Sequence, residues 1–334
     1  MRKRYKRSAA VVTSVFAALL LLLFASTSAS AYNPGEGSTW TPETENGQLI
    51  TSTDTVDDAR DPHNGNLVEI WHAASDSRIW VSLNHGPAIV LPNATTLAAP
   101  RIAYYGGHFH VFHTGTDGHI YTQQVVFRSS TELLDPQPTF WTALPNGALT
   151  RNNLSPSVVS FPLEHDNDAM VSWGSATDDL QYTMYWNGSA WEEPAVVPYV
   201  RSTTANTLAW NDIYDEISLA HRGNDGQAYI SYQPWGSSQW TVPEQMPTSN
   251  VVGTPDVAWA SNGQGTIAIN AGDSILVDHL QRPGQHDGGW NFENTTFPTD
   301  HNPQLVASGL TIIIILTRQD THGVYYKPIT VFTG

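Results

Sequence analysis

The chain is 334 residues long, with no cysteine, 31 Asp+Glu against 15 Lys+Arg, and a formal net charge of −16 at pH 7. That balance repels nucleic-acid phosphates and anionic lipid headgroups, which argues against polyanion partners and suits an uncharged ligand. The lack of cysteine excludes disulfides, thiolate metal sites and thiol redox chemistry, so the fold rests on core burial, which a chain of this size can supply.

Residues 1–31 read as a secretory leader. MRKRYKR is basic, the apolar run 11–24 is broken only by Thr13 and Ser14, and a small-residue Ala-Ser-Ala cleavage site ends at Ala31. The run falls short of the roughly 20 apolar residues of a membrane span. The expectation is therefore secretion after cleavage near Ala31, with no membrane insertion.

Two markers then recur along residues 32–334. The first is a turn phrase: HAASDSRIW (72–80), HTGTDGHIY (113–121), GSATDDLQY (174–182), HRGNDGQAY (221–229), NAGDSILV (270–277) and TRQDTHGVY (317–325). The second is a Trp, usually followed by Pro: Trp40, Trp141, Trp191, Trp240 and Trp290, with HGPAIVLP (85–92) filling the one long interval. A period of roughly 50 residues marks a fixed-period array.

Each period reads as four strands. The first often follows Pro (PRIAYY, PSVVSF, PDVAWA, PQLVAS), and the second is strongly apolar (NLVEIW, FHVFH, DAMVSW, EISLAH, GTIAIN, LTIIIIL). The third carries an aromatic and the fourth carries the Trp. No helical stripe is present, and TIIIIL (311–316) is a buried strand rather than a membrane segment. Short antiparallel strands in sets of four predict an all-β, six-bladed β-propeller as a single domain. Its blades span about 50–92, 97–144, 155–194, 206–243, 254–292 and 302–331. The repeat opens on a Trp-bearing fourth strand (38–46) and ends on a third, so the N-terminal strand is expected to complete the last blade and close the ring. An open stack would leave two bare sheet edges.

The form apolar–apolar–x–Gly-Thr-Asp-Gly–x–aromatic, followed by Gly-x-Trp and then Leu or Pro, resembles the blades of secreted β-propeller lectins. These are the bacterial propeller lectins and the fungal fucose-binding lectins, and more loosely the tachylectin and tectonin groups. The resemblance implies a multivalent, non-catalytic carbohydrate-binding protein that takes fucose-like or other neutral sugars between blades, with glycans as partners. A neutral sugar offers C–H faces and hydroxyls, so its site pairs an aromatic plate with polar groups.

The strand-three aromatics Trp80, Tyr121, Tyr182, Tyr229 and Tyr325 are repeated candidates for that plate, although packing also demands repeated residues. Less regular aromatics, Trp210 and Trp259 with Trp71, Trp173 and Trp235, are freer to serve a ligand. Arg222, and also Arg78, stands beside the turn phrase where it can bind hydroxyls. His72, His113 and His221 share one phrase position but lie in different blades, so no metal site is expected of them. The acidic stretch 54–61 lacks the Gly-spaced calcium loop. No cofactor motif is present. A propeller glycoside hydrolase and a protein-binding scaffold are the alternatives. The turn Asp and its aromatic stand four apart, not five as in the sialidase Asp box, and the acids Asp212, Asp215 and Glu216 are the cluster a hydrolase would draw on.

Overall fold

The computed structural model describes residues 41–330 except 46–47, 77, 152, 162–167, 249, 273, 281–292, 296, 298 and 300. The leader and the markers Trp40 and Trp290 lie outside the described residues. Among those described, no helix is long and apolar enough to cross a membrane.

Six four-stranded antiparallel sheets follow one another along the chain. Blade 1 holds Asp57–Arg60, Leu67–His72, Ile79–Leu83 and Ile89–Val90, and blade 2 holds Arg101–Tyr105, His108–Thr114, Ile120–Gln124 and Thr142–Ala143. Blade 3 is built from Ser157–Ser160, Ala169–Gly174, Leu180–Trp186 and Ala195–Arg201, and blade 4 from Asn206–Asn211, Glu216–Arg222, Ala228–Pro234 and Glu244–Gln245. Blade 5 comprises Asp256–Trp259, Gly265–Asn270, Ile275–Leu280 and Glu293–Thr295. Blade 6 takes Gln304–Ser308, Thr311–Thr317 and Val324–Thr330, and its fourth strand is Thr41–Pro42 from the other end of the chain. Thr41 pairs with Tyr326 and Pro42 with Tyr325, so the propeller is six-bladed and closed as the repeat phase predicts.

Apolar residues of the second strands fill the spaces between blades. The stripe Val68, Ile70, Ile79 and Val81 of blade 1 packs on Ile102, Phe109 and Val111 of blade 2. Ile312, Ile314 and Leu316 lie fully buried against blade 5, confirming TIIIIL as a core strand.

The first strands line the axis around a cavity of about 330 Å³. Backbone donors there are satisfied from the neighbouring blade in every second gap. Asp57 Oδ2 accepts from the Ile102 amide (2.8 Å), Ser157 Oγ from Leu208 (2.8 Å) and Asp256 Oδ2 from Leu305 (2.7 Å). Gln304 donates to Asp57 and accepts from Arg101 Nη1 at 3.0 Å, which joins blade 6 to blades 1 and 2. Two acids of the stretch 54–61 are thereby placed on a strand: Asp57 is engaged by this ring, and Asp58 follows it.

The turn phrase joins second and third strands, as read from the sequence. Its Asp does two jobs. One oxygen accepts the amide two residues on, at 3.1 Å for Arg78, His119, Leu180 and Gln227. The other accepts the strand-three phenol four residues on: Tyr121 on Asp117 (2.8 Å), Tyr182 on Asp178 (2.9 Å) and Tyr229 on Asp225 (2.7 Å). Gly118 and Gly226 occupy positive φ (83° and 81°), where a side chain would be strained.

Two sequence readings need correction. The described Trp markers, Trp141, Trp191 and Trp240, do not sit on the fourth strands. Trp141, Trp191 and Trp240 precede Thr142–Ala143, Ala195–Arg201 and Glu244–Gln245. His72 is also not equivalent to the other two histidines. His113 and His221 pair with Tyr121 and Tyr229, whereas His72 pairs with Ile79 and Trp71 takes the place opposite Trp80. The turn of blade 1 holds one more residue between paired positions, which turns His72 to the other face.

Candidate functional site

The turn between third and fourth strands carries a Trp at each end in two successive blades. In blade 3, Trp186 ends the third strand, Asn187 Oδ1 accepts the amides of Ser189 (3.2 Å) and Ala190 (3.1 Å), and Trp191 bridges back to Trp186. Gly188 at φ 84° lets this loop reverse direction. In blade 4, Trp235 and Trp240 are likewise five residues apart, with Gly236 at φ 72° directly after the first and the second buried at 8% exposure, and Gln233 Nε2 ties down the Ser237 carbonyl at 2.6 Å. Both sequences read Trp-x-x-x-x-Trp: WNGSAW and WGSSQW.

Each pair faces the preceding blade across a cleft. Between blades 2 and 3 the cleft has a volume of about 360 Å³ and is lined by Trp186, Trp191, Tyr105, His110, Gln123 and the exposed Phe140. Between blades 3 and 4 it has a volume of about 410 Å³, and its lining includes Trp235, Trp240, Tyr185, Glu192, Glu193 and Ser237. The aromatic surroundings match in part, for only the first cleft has its strand-one aromatic in the lining. Tyr105, at the end of its first strand, lies 5.6 Å from Trp186 and 5.8 Å from Trp191 by ring centroids. Phe161, the matching residue of blade 3, lies 4.7 Å from Trp235.

Polar groups differ between the two clefts. In the first, His110 stacks on Tyr105 at 4.1 Å, and burial pushes its pKa down to about 4, so at neutral pH it is an uncharged donor and acceptor. In the second, the exposed carboxylates Glu192 and Glu193 and the side chains of Gln233 and Ser237 surround the indoles. A rigid aromatic face beside acceptors and donors matches a small polyol ring with one apolar side.

The sequence candidates fall elsewhere. Tyr121, Tyr182 and Tyr229 commit their hydroxyls to the turn aspartates, and their rings stack on His113 (5.6 Å), Trp173 (5.8 Å) and His221 (5.4 Å). Trp80 likewise turns its Nε1 to Asp76 (3.4 Å) with Arg78 over its ring at 5.7 Å. Tyr325 pairs with Pro42 and meets Phe297 edge-on at 5.7 Å, a packing role at the closure. Of this set, Tyr229 borders an open cavity of about 380 Å³ shared with Arg201 and the exposed Tyr199.

Trp259 is 5% exposed and donates to Ser218 Oγ at 2.8 Å, so it belongs to the core and has no face to offer a ligand. Trp210 stands behind Trp235, edge-on at 5.6 Å, and supports that ring rather than lining the cleft. Arg222 donates Nε–H to the carbonyl of Val251 ahead of the next blade, which gives it a structural role between blades 4 and 5. Asp212 and Asp215 are exposed in the first hairpin of blade 4. The structure thus brings together Trp235 from the sequence set with Trp186, Trp191 and Trp240. The two markers read as structural, and Trp186 went unread. The signal for it was the five-residue interval to Trp191, repeated from Trp235 to Trp240.

No protein-family model matches the sequence, and no curated protein matches it. Solved structures do. A variant of the Aleuria aurantia lectin in complex with α-methyl-L-fucoside aligns with a TM-score of 0.57 at 11% identity, covering 86% of this chain and 98% of that one. The BP39L lectin from Burkholderia pseudomallei gives 0.57 at 11% identity over 85% and 100%. A Thermus protein described as an oxidoreductase (glucose dehydrogenase) gives 0.54 at 13% identity over 87% and 99%. The Aleuria lectin is itself a six-bladed propeller with fucose recognition. At such identities the likeness is one of fold, and in fold this chain is a six-bladed β-propeller similar to the propeller lectins.

Proposed function

We propose that the protein is a secreted, non-catalytic lectin that binds neutral saccharides in the clefts headed by Trp186–Trp191 and Trp235–Trp240. The observation that carries this reading is the recurrence of one aromatic arrangement in two successive gaps, each large enough for a monosaccharide and each edged with hydrogen-bonding groups. Blade 1 closes its gap without a marker Trp, so the half-buried indoles of Trp186 and Trp235, each five residues before a marker Trp, are not required by the fold. The lectin neighbours and the fucoside bound to one of them support a sugar ligand and make L-fucose the first to test. Export is supported by the leader-like residues 1–31, and the acidic surface favours an uncharged glycan.

Each site is expected to be weak alone, and two on one ring raise avidity for a multivalent surface through effective concentration. The decisive experiment is a glycan array on residues 32–334, followed by calorimetry with the monosaccharide that competes. Binding that falls at least tenfold in Trp186→Ala and in Trp235→Ala supports the proposal. Array silence together with turnover of chromogenic glycosides would replace it with a hydrolase using Glu192 and Glu193. Silence in both assays with a co-purifying protein would replace it with a scaffold.

A further inference from the structure

The gap between blades 6 and 1 is furnished differently. Where the Trp-lined clefts present indoles, it presents two carboxylates and an imidazole: Glu43, just after the closing strand; Glu69, on the second strand of blade 1; and His85, in the turn after its third strand. Both glutamates are buried, at 8% and 5% exposure. His85 Nδ1 lies 3.0 Å from Glu69 Oε2 and 3.5 Å from Glu43 Oε1, and the three donor atoms all fall within 4.8 Å of one another. Ser82 Oγ donates to the same Glu69 Oε2 at 3.1 Å and helps to fix that carboxylate.

These separations have a chemical meaning. Ligand atoms bonded at about 2.0–2.1 Å to one ion stand about 2.9 Å apart along an octahedral edge and about 3.4 Å along a tetrahedral one. The two measured contacts, both made by His85 Nδ1, lie close to this range of spacings, which a hydrogen-bonded ion pair also fills. A further acid lies beside this pair. Asp58 is paired with Glu69 across the first two strands of blade 1, and its Oδ1 is buried with no hydrogen-bond partner. Two buried carboxylates thus converge on one imidazole nitrogen, and buried carboxylates need a positive partner there.

We propose that Glu43, Glu69 and His85 form a site for one divalent transition-metal ion, Zn²⁺ or Mn²⁺, that clasps the ring where its two ends meet. One imidazole and two carboxylates make a mixed nitrogen–oxygen donor set suited to these ions, whereas Ca²⁺ takes six to eight oxygens. Because Glu43 belongs to the segment that completes blade 6 and the other two ligands belong to blade 1, the ion ties the closing strand to the next blade. Its effect is on stability, away from the Trp clefts.

The test uses tag-free protein of residues 32–334, stripped with a chelator, titrated with ZnCl₂, MnCl₂ and CaCl₂ by calorimetry and followed by thermal unfolding. Expected are one Zn²⁺ or Mn²⁺ per chain and a rise of several degrees in Tm that chelator reverses. Glu69→Gln and His85→Asn should each weaken binding at least tenfold. The second is the safer variant, since His85 is in a turn at φ 57°, a conformation that Asn tolerates. No saturable binding of Zn²⁺ or Mn²⁺ overturns the proposal, as does unchanged affinity in a His85→Asn protein with native circular dichroism. Preference for Ca²⁺ over both ions overturns the donor assignment.

Discussion

A tyrosine that returns in successive blades can serve the fold or a ligand, and here its hydroxyl decides. Tyr121, Tyr182 and Tyr229 each donate to the turn Asp four residues earlier while lying flat on a strand-two ring. Tyr229→Phe keeps the stack and loses one hydrogen bond, so it should cost about 1 kcal/mol in stability and leave saccharide affinity unchanged; denaturant melts beside calorimetry check both. The partner of that stack adds a pH term. His221 is 2% exposed, and burial pushes its pKa down from 6.5 to about 4, with the Asp225 charge opposing the shift. Between those values the unfolded chain binds a proton that the folded chain refuses, so stability falls as pH drops from 6.5 toward 4. The full term is up to about 3 kcal/mol. His221→Phe removes it, and its loss of Tm from pH 7 to pH 4.5 should be visibly smaller than that of the parent protein.

At the scale of the element, what was legible in the sequence is what each blade builds for itself. Alternation, the Gly-Asp turn and the strand-three aromatic are local features of a hairpin, and their repetition exposed both the blade and the count. The clefts were less legible because they form between blades. Tyr105 meets Trp186 across 81 positions of sequence, and no periodicity within blade 2 points at blade 3. The same reason explains the misplaced candidates: Trp210 and Trp259 both end first strands, but one meets Phe161 and Trp235 beside a cleft and the other meets Ser218 in the core. That contrast yields a prediction. Trp210→Ala removes the edge contact that holds Trp235, so saccharide binding should weaken in the gap between blades 3 and 4 while the gap between blades 2 and 3 keeps its affinity. Calorimetry would then show about half the original high-affinity stoichiometry, in a protein that still melts cooperatively. Equal loss at both gaps would mean that the ring as a whole had loosened.

For the whole molecule the question is what keeps six sheets in a circle without a covalent link. Several contacts span the join, among them Thr317 Oγ1 to the Asp54 carbonyl and the Ser52 amide to the His322 carbonyl at 2.9 Å, and two of them mark its inner and outer ends. At the axis, Gln304 donates to Asp57, and at the rim Thr41–Pro42 lies along Val324–Thr330, continued by the Glu43 amide to the Val324 carbonyl at 2.8 Å. The axial contact is a single side chain, whereas the rim contact covers the backbone of a strand whose edge would otherwise meet solvent and other chains. Removing residues 32–42 strips that cover and leaves Glu43 in place. The truncated protein should melt at least several degrees lower and show concentration-dependent scattering well below its melting temperature, with sugar affinity in the surviving monomer little changed because both Trp clefts lie between blades 2, 3 and 4. Thermal melts and light scattering over a concentration series measure this directly. If Tm and scattering stay at parent values, the first strands hold the circle through Gln304 and Asp57, and the closing strand serves the rim alone.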